Sequence, residues 1–374
     1  MHRDKNAGGY VVSYAPDQAP AVCRHEPTTR EQIAARLAAL KGFEFAGEYD
    51  PGARYAKPLY FVPSGTLTRS EAVDVLGIAG EHDLFGGVVP RAFVGTKSIT
   101  HPLCDEAAVA PPGWSSEFAR AVEHVVLRGH SVFALKDARR AGWQLLRRGH
   151  VRVKPARAIG GRGQSVVEDP EALEAALRSV DEHELGTYGL VLEEHLSEVR
   201  TYSAGQVRVG PLVASYCGVQ KLTRTNEGLE VYGGSDLVFA RGDFDALLAL
   251  ELESEYLEAV ARASTYDRAA REHYSGFFAS RCNYDVIRGF DAQGKCRCGV
   301  LEQSWRIGGA SGAEVAALEL FAADAGRNAA KVCCTERYGG DETPPEHAIV
   351  YYHGLDDDVG FITKYTTVEY DAHT

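Results

Sequence analysis

A multi-domain α/β protein with an antiparallel part (α/β, α+β) is the fold class that the sequence predicts, on three observations. The chain has 374 residues, 45 % hydrophobic and 25 % charged. At roughly 150 residues per unit that is enough for two or three packed units. The first hundred residues alternate strand-like and helix-like stretches, the βα pattern of a small Rossmann-like unit. Later stretches read as strands joined by short turns, as in an antiparallel sheet.

Each element has its own reason. Tyr10-Val11-Val12-Ser13-Tyr14 reads as a strand. Thr28 with Glu31 has capping-box spacing and predicts a helix over 32–40. Pro58-Leu59-Tyr60-Phe61-Val62 is a second strand, and Thr68 with Glu71 caps a short helix that Gly77 ends. Ala110-Pro111-Pro112-Gly113 marks a boundary. It is followed by a helix over 116–127, a strand over 131–134, a helix over 137–148 and a strand over 151–154. Asp169-Pro170-Glu171 is a helix start, with an N-cap acid and proline in the first turn. That helix runs to 180, before a strand over 190–193. Strands over 201–209 and 212–219 meet at Gly210-Pro211, and helices fill about 243–275. Strands over 281–288 and 296–304 precede a helix over 312–327, and the tail from about 336 is irregular to strand-like. The expected domains are 1–110, 111–195 and 196–374.

Charge and cysteines narrow the function. With 40 Lys and Arg against 52 Asp and Glu, the net charge is −12, which speaks against a nucleic-acid or anionic-membrane binder. No apolar run approaches the about 18 residues of a membrane span. The start lacks a signal-peptide core, so the chain is expected in the cytoplasm with its eight cysteines reduced. A homodimer is the default expectation.

Between Arg139 and Val167 there is no acidic residue, while Arg139, Arg140, Arg147, Arg148, Arg152, Lys154, Arg157 and Arg162 are positive. Within this island lie Gly160, Gly161 and Gly163, followed by Gln164. Closely spaced glycines let backbone N–H groups approach an anion, and a lysine at the end of the preceding strand supplies a point charge. The rival reading is a Gly-rich hairpin with solvated arginines.

A second signal lies around the turn-like Asp291-Ala292-Gln293-Gly294-Lys295. A hairpin symmetric about Gln293-Gly294 puts Asp285 opposite Glu302, Asn283 opposite Ser304 and Arg281 opposite Arg306, all on one face. Facing carboxylates are destabilising unless a cation sits between them, and oxygen-only ligands suit Mg²⁺. The rival is two exposed acids neutralised by Arg281 and Arg306. Next, Arg306-Ile307-Gly308-Gly309-Ala310-Ser311-Gly312 is a small-residue loop opening a helix, a place where free N–H groups bind anions.

In order, these pieces resemble the ATP-grasp superfamily, over roughly 95–320. The whole chain is also similar to an uncharacterised bacterial family of ATP-grasp-like proteins. The resemblance implies an ATP-grasp architecture: a Rossmann-like N-terminal domain, a small lid and a larger C-terminal antiparallel-sheet domain. It further implies that Lys97 in Gly95-Thr96-Lys97-Ser98 and Lys154 hold ATP phosphates beneath a loop of Gly160, Gly161, Gly163 and Gln164. Leu192-Glu193-Glu194-His195-Leu196 resembles the adenine hinge, with Glu193, Glu194 and Leu196 at the base and Glu198 near the ribose. Asp285 and Glu302 match the metal acids. Glu302-Gln303-Ser304-Trp305-Arg306 matches the E-x-N-x-R strand, except that Ser304 stands where the family has asparagine.

The chemistry so implied is Mg²⁺- and ATP-dependent activation of a carboxylate as an acyl phosphate, which an amine then attacks. Arg306, Arg281 and Lys154 would be catalytic. Lys221, Arg224, Tyr232, Arg306, Gly309 and Ser311 would meet an amino-acid-like substrate, the first three from a loop between hinge and metal strands. Two alternatives stay open: a degenerate ATP-grasp protein that binds nucleotide without turnover, and an ATP-grasp-fold kinase. A third is a metal-thiolate site at Cys296-Arg297-Cys298 and Cys333-Cys334, although C-x-C and C-C are not zinc spacing. Cys23, Cys104, Cys217 and Cys282 read as core thiols.

Overall fold

The computed structural model describes residues 8–15, 23–158, 163–340 and 343–369. Gly160, Gly161 and Arg162 lie outside them.

Strand β1 (Tyr10–Tyr14) forms where expected, but helix α1 (His25–Lys41) starts seven residues before 32. The Thr28–Glu31 cap is not its start. The Asp356 carboxylate instead accepts the backbone N–H groups of Arg24 at 2.6 Å and His25 at 2.8 Å. A helix N-terminus needs such acceptors, and one supplied from 331 positions along the chain leaves no local signature. Strands β2 (Glu44–Glu48), unforeseen from the sequence, and β3 (Leu59–Pro63) flank β1 in a parallel sheet. After β4 (Leu67–Thr68) comes one π-helical turn, Ser70–Val75, in which Glu71 reaches back to the Thr68 N–H at 3.4 Å. Then come β5 (Gly87–Val89) and two 3₁₀ turns, Ala92–Gly95 and Lys97–Ile99.

Helix α2 (Ser116–Val122) stops short of 127 because the Val125 carbonyl and Val126 join the sheet at Val300. Next are β6 (Gly129–Val132), α3 (Leu135–Leu146), β7 (Val151–Pro155), β8 (Ser165–Val167), α4 (Pro170–Arg178), α5 (Glu182–Tyr188) and β9 (Leu190–Glu194). Asp169 caps α4 by accepting the Ala172 N–H at 2.8 Å, as its sequence signature predicts. Helix α5 was not foreseen. These strands make an antiparallel sheet in the order β6-β9-β7-β8, with its own core of Val132, Leu145, Val153, Leu173 and Leu192.

The rest builds one large sheet from β10 (Ser197–Val209), β11 (Leu212–Arg224), β12 (Glu230–Arg241), β14 (Arg281–Phe290), β15 (Cys296–Ser304), β16 (Ala329–Tyr338), β17 (Ile349–Asp356) and β18 (Gly360–Glu369). Between them fall α6 (Phe244–Leu248), α7 (Ser254–His273), the short β13 (Phe278–Ala279) against β5, and α8 (Ser311–Ala323), which ends before 327. The order is β15-β14-β10-β11-β12-β16-β18-β17, antiparallel throughout. The expected loop between hinge and metal strands is therefore the β11–β12 hairpin, and the tail supplies the two strands β17 and β18.

Alternation along these strands feeds two cores. Tyr202, Ala204, Tyr284 and Val286 pack with Ala263 and Tyr266 of α7 on one face. Val207, Tyr216 and Phe239 pack on the other with Phe321 of α8 and with Val11, Ile33 and Tyr60 of the first strands and helix. Among the described residues no helix is long and apolar enough to cross a membrane.

Candidate active site

Because Tyr284 and Val286 point toward α7, Asn283 and Asp285 project from the opposite face of β14. The hairpin pairs Asn283 with Ser304 and Asp285 with Glu302, as its symmetry predicts. A bulge follows at once, so that Val286 pairs with Val300, and the turn-proximal register is one residue tighter. The Asp291 side chain closes the turn by accepting the Gln293 and Lys295 N–H groups. Asp285 Oδ1 accepts hydrogen bonds from Gln220 Nε2 at 2.8 Å and Asn283 Nδ2 at 3.0 Å. Burial and the neighbouring Glu302 push the Asp285 carboxyl up to about 6, although Asn283, Gln220 and Lys97 favour its charge. The pair is short of positive charge, and its all-oxygen donors fit a hard divalent cation.

Lys97 is buried, and its ammonium donates to the Ala158 carbonyl at 2.7 Å and meets Glu302 at 2.6 Å. Its 3₁₀ turn is pinned by Gln303, whose amide donates to the carbonyls of Val94 at 3.1 Å and Thr96 at 2.6 Å. One strand residue thus faces the site while its neighbour ties down the lysine beside it. Lys154 on β7 is equally buried and donates to Glu193 Oε1 on β9 at 3.0 Å. The other Glu193 oxygen lies 3.1 Å from His101 Nε2. Burial would raise the Glu193 carboxyl, but Lys154 and His101 hold it down to about 2. Glu193 is therefore the counter-charge of Lys154. His101 has no sequence signal pointing to it, and Gln220 is one more polar residue on a long strand.

Other expected residues scatter further. Glu194 accepts the Arg128 N–H at 3.0 Å and pairs with Arg297 at 3.3 Å. Leu196 is buried, and Glu198 adopts a positive φ of 48° at an exposed position. Gly163 also has a positive φ, 68°, and Gln164 accepts from Arg152 at 3.2 Å.

Arg281 does not face Arg306 across the hairpin, since β15 ends at Ser304. It is 1 % exposed, and its Nε donates to both Glu314 oxygens at 3.0 Å. Its Nη1 donates to the Ser304 carbonyl at 3.0 Å and to Ser304 Oγ at 3.3 Å. The guanidinium holds the strand end in place. Arg306 is half-buried, donates to the Ile307 carbonyl at 2.8 Å, and has its acidity raised by burial and by Arg281. Ser311 Oγ accepts the Gly308 N–H at 3.0 Å, and Gly309 lies against the Tyr232 ring.

Lys221, Arg224 and Tyr232 sit on strands β11 and β12, not on a loop. Lys221 pairs with Asp236 at 2.6 Å, Arg224 is exposed near the hairpin end, and the Tyr232 hydroxyl meets Ser235 at 2.9 Å and Cys334 at 3.3 Å. These three are not gathered around Asp285.

The arginine island is compensated in part from outside its own segment. Arg139 pairs with Glu174 at 2.9 Å, Arg140 with Asp105, and Arg157 with Glu184 at 3.3 Å. The thiol cluster does not form. Cys296 and Cys298 lie on edge strand β15 and Cys333 and Cys334 on β16, five strand spacings or about 24 Å apart. Cys217 and Cys282 are buried, whereas Cys23 and Cys104 are only half-buried.

A family model described as "Protein of unknown function (DUF3182)" matches residues 13–366. No curated protein matches the chain. Among solved structures, N5-carboxyaminoimidazole synthetase from Staphylococcus aureus is similar at 14 % identity with a TM-score of 0.50, covering 97 % of this chain and 94 % of its own. The same enzyme complexed with ADP gives the same values. Biotin carboxylase from Campylobacter jejuni is similar at 12 % identity with a TM-score of 0.46, over 96 % of this chain and 82 % of its own. The fold is that of the ATP-grasp superfamily.

Proposed function

Because the chain belongs to the DUF3182 family and carries the ATP-grasp fold, we propose that it is an ATP-dependent ligase joining a small carboxylate to an amine. The observation that carries this reading is the ion pair of the buried Lys97 with Glu302, which faces Asp285 across the hairpin. The domain limits expected from the sequence, 1–110, 111–195 and 196–374, form part of the proposal, with nucleotide lying between the last two.

Asp285 and Glu302 would hold Mg²⁺, which when bound would neutralise phosphate charge. Lys97 and Lys154 would exchange their carboxylate partners for phosphate oxygens. Glu193, Glu194 and Leu196 would line the base, Glu198 the ribose, and the loop with Gly163 and Gln164 would shield the phosphates from water. Arg306, free of any carboxylate partner among the described residues, would face the charge that develops on the activated carboxylate. Arg281 would act by fixing the strand end that carries Ser304 and Arg306. Gly309 and Ser311 would offer N–H groups at the start of α8 to the substrate. Tyr232 would back Gly309, against which its ring lies, whereas Lys221 and Arg224 would contribute only if the β11–β12 hairpin approached the site.

Calorimetric titration with ATP, with and without Mg²⁺, tests the reading on the wild type and on Lys97→Ala and Glu302→Gln. Metal-dependent binding lost in both variants is expected, followed by phosphate release with a matching carboxylate and amine. Absence of ATP binding would overturn it. Ser304 bears on the second reading, because its hydroxyl is engaged by Arg281. A nucleotide-binding protein without turnover would bind ATP yet release no phosphate with any substrate pair, and a kinase would yield a stable phosphoester.

A further inference from the structure

Among the described residues outside the site above, one set of side chains brings metal-binding chemistry together. Cys23, His25 and Asp356 each offer a ligand atom, and all three atoms lie within 4.8 Å of one another. The thiol and the imidazole precede and begin α1, and the carboxylate ends β17, so the sequence shows only a Cys-x-His pair. His25 is 6 % exposed, and its Nδ1 has no hydrogen-bond partner among the described residues. A buried imidazole nitrogen left bare is costly unless something fills the gap. Burial disfavours the charged ring, so its lone pair is available.

Asp356 is buried and ionised. Burial alone would raise its carboxyl, but the N–H groups of Arg24, His25, Asp358 and Val359 hold it at about 2 and fix its orientation. Burial raises the Cys23 thiol, so without a metal it keeps its proton.

We propose that Cys23, His25 and Asp356 bind one zinc-class divalent ion, which staples the start of α1 to the β17–β18 turn. A thiolate, a neutral imidazole and a carboxylate are three of the ligand types zinc takes, and water would complete a tetrahedron. Bond lengths of about 2.0–2.3 Å put tetrahedral ligand atoms about 3.5 Å apart, so the site contracts by about 1 Å on binding. The Cys23 proton goes to solvent, and the two negative ligands balance the ion's charge. Lys364, which faces the cluster from β18, has Glu336 as its own partner at 3.3 Å.

The test uses the full chain stripped of metal with a chelator and titrated with Co²⁺. One equivalent giving a thiolate-to-cobalt charge-transfer band is expected, absent in Cys23→Ser and His25→Gln. The band should persist in Cys296→Ser/Cys298→Ser, which removes the exposed thiol pair. No band, or one unchanged by Cys23→Ser, would overturn the proposal. Should the Cys23 and His25 variants not fold, alkylation of wild-type Cys23 read by peptide mass spectrometry decides. Zn²⁺ must slow it several-fold, and an equal rate with and without Zn²⁺ refutes the site. Neither readout depends on nucleotide.

Discussion

Replacing Glu193 by Gln isolates the buried charge that faces Lys154. The carboxylate is 1 % exposed, 3.0 Å from the Lys154 ammonium and 3.1 Å from His101 Nε2. Glutamine keeps the shape and leaves a buried ammonium without its counter-charge, which costs about 3–5 kcal/mol. The acid side gives a similar figure. Holding this carboxyl at about 2, against an ordinary 4.5, corresponds to about 3 kcal/mol. A depressed carboxyl stabilises the fold above its unfolded value, so this contribution is complete above about pH 4.5 and is lost as pH falls toward 2. Since β7 and β9 share a four-stranded sheet with its own core, the loss falls on that unit first. Hydrogen exchange of the β7 and β9 amides, with urea unfolding at pH 7, measures it. The double variant Glu193→Gln/Lys154→Met should recover much of the loss, because no lone charge remains. A single variant costing under about 1 kcal/mol, or a double variant no better than the single, would refute the argument.

Arg281→Met should cost about 3–5 kcal/mol in urea unfolding by stranding Glu314, and Arg281→Lys should not restore it, lacking the fork that meets both oxygens. Gly218→Ala should cost more than about 4 kcal/mol or abolish soluble protein, because its methyl would overlap the Asp236 carbonyl on the neighbouring strand. Asp356→Ala, compared with wild type in chelator, should cost about 1–2 kcal/mol in thermal unfolding and fray α1 in hydrogen exchange, since it removes the helix cap.

What the sequence reveals and what it hides follow from the reach of each interaction. Period-2 alternation and a recognisable turn locate the β14–β15 hairpin and put Asp285 opposite Glu302, because both signals lie within a few residues. Asp169 announces α4 for the same reason. The start of α1 is misread because its acceptor is Asp356, and α2 stops early because Val126 is drawn to Val300. In the site, the two lysines and two acids carry motif spacing, whereas His101, Gln220 and Glu314 matter through partners scores of residues away. Arg281 draws attention by its place before Asp285, and only its burial with Glu314 gives it a structural task. The β11–β12 hairpin is missed because the stretch that carries Lys221, Arg224 and Tyr232 is expected as a loop, although the glycines at 233 and 234 allow close backbone packing between strands.

The mixed core that joins Val11, Ile33 and Tyr60 to Val207, Phe239 and Tyr351 has a consequence during synthesis. The first strands and helix emerge from the ribosome with an apolar face whose last partner lies roughly 290 residues later. At about 5–20 residues per second, that face waits roughly 15 to 60 seconds for its cover. The four-stranded unit, whose buried core residues all lie between Val132 and Leu192, can close meanwhile. The nascent chain therefore carries a finished middle and an unfinished beginning, and its early segment is the part most in need of a chaperone.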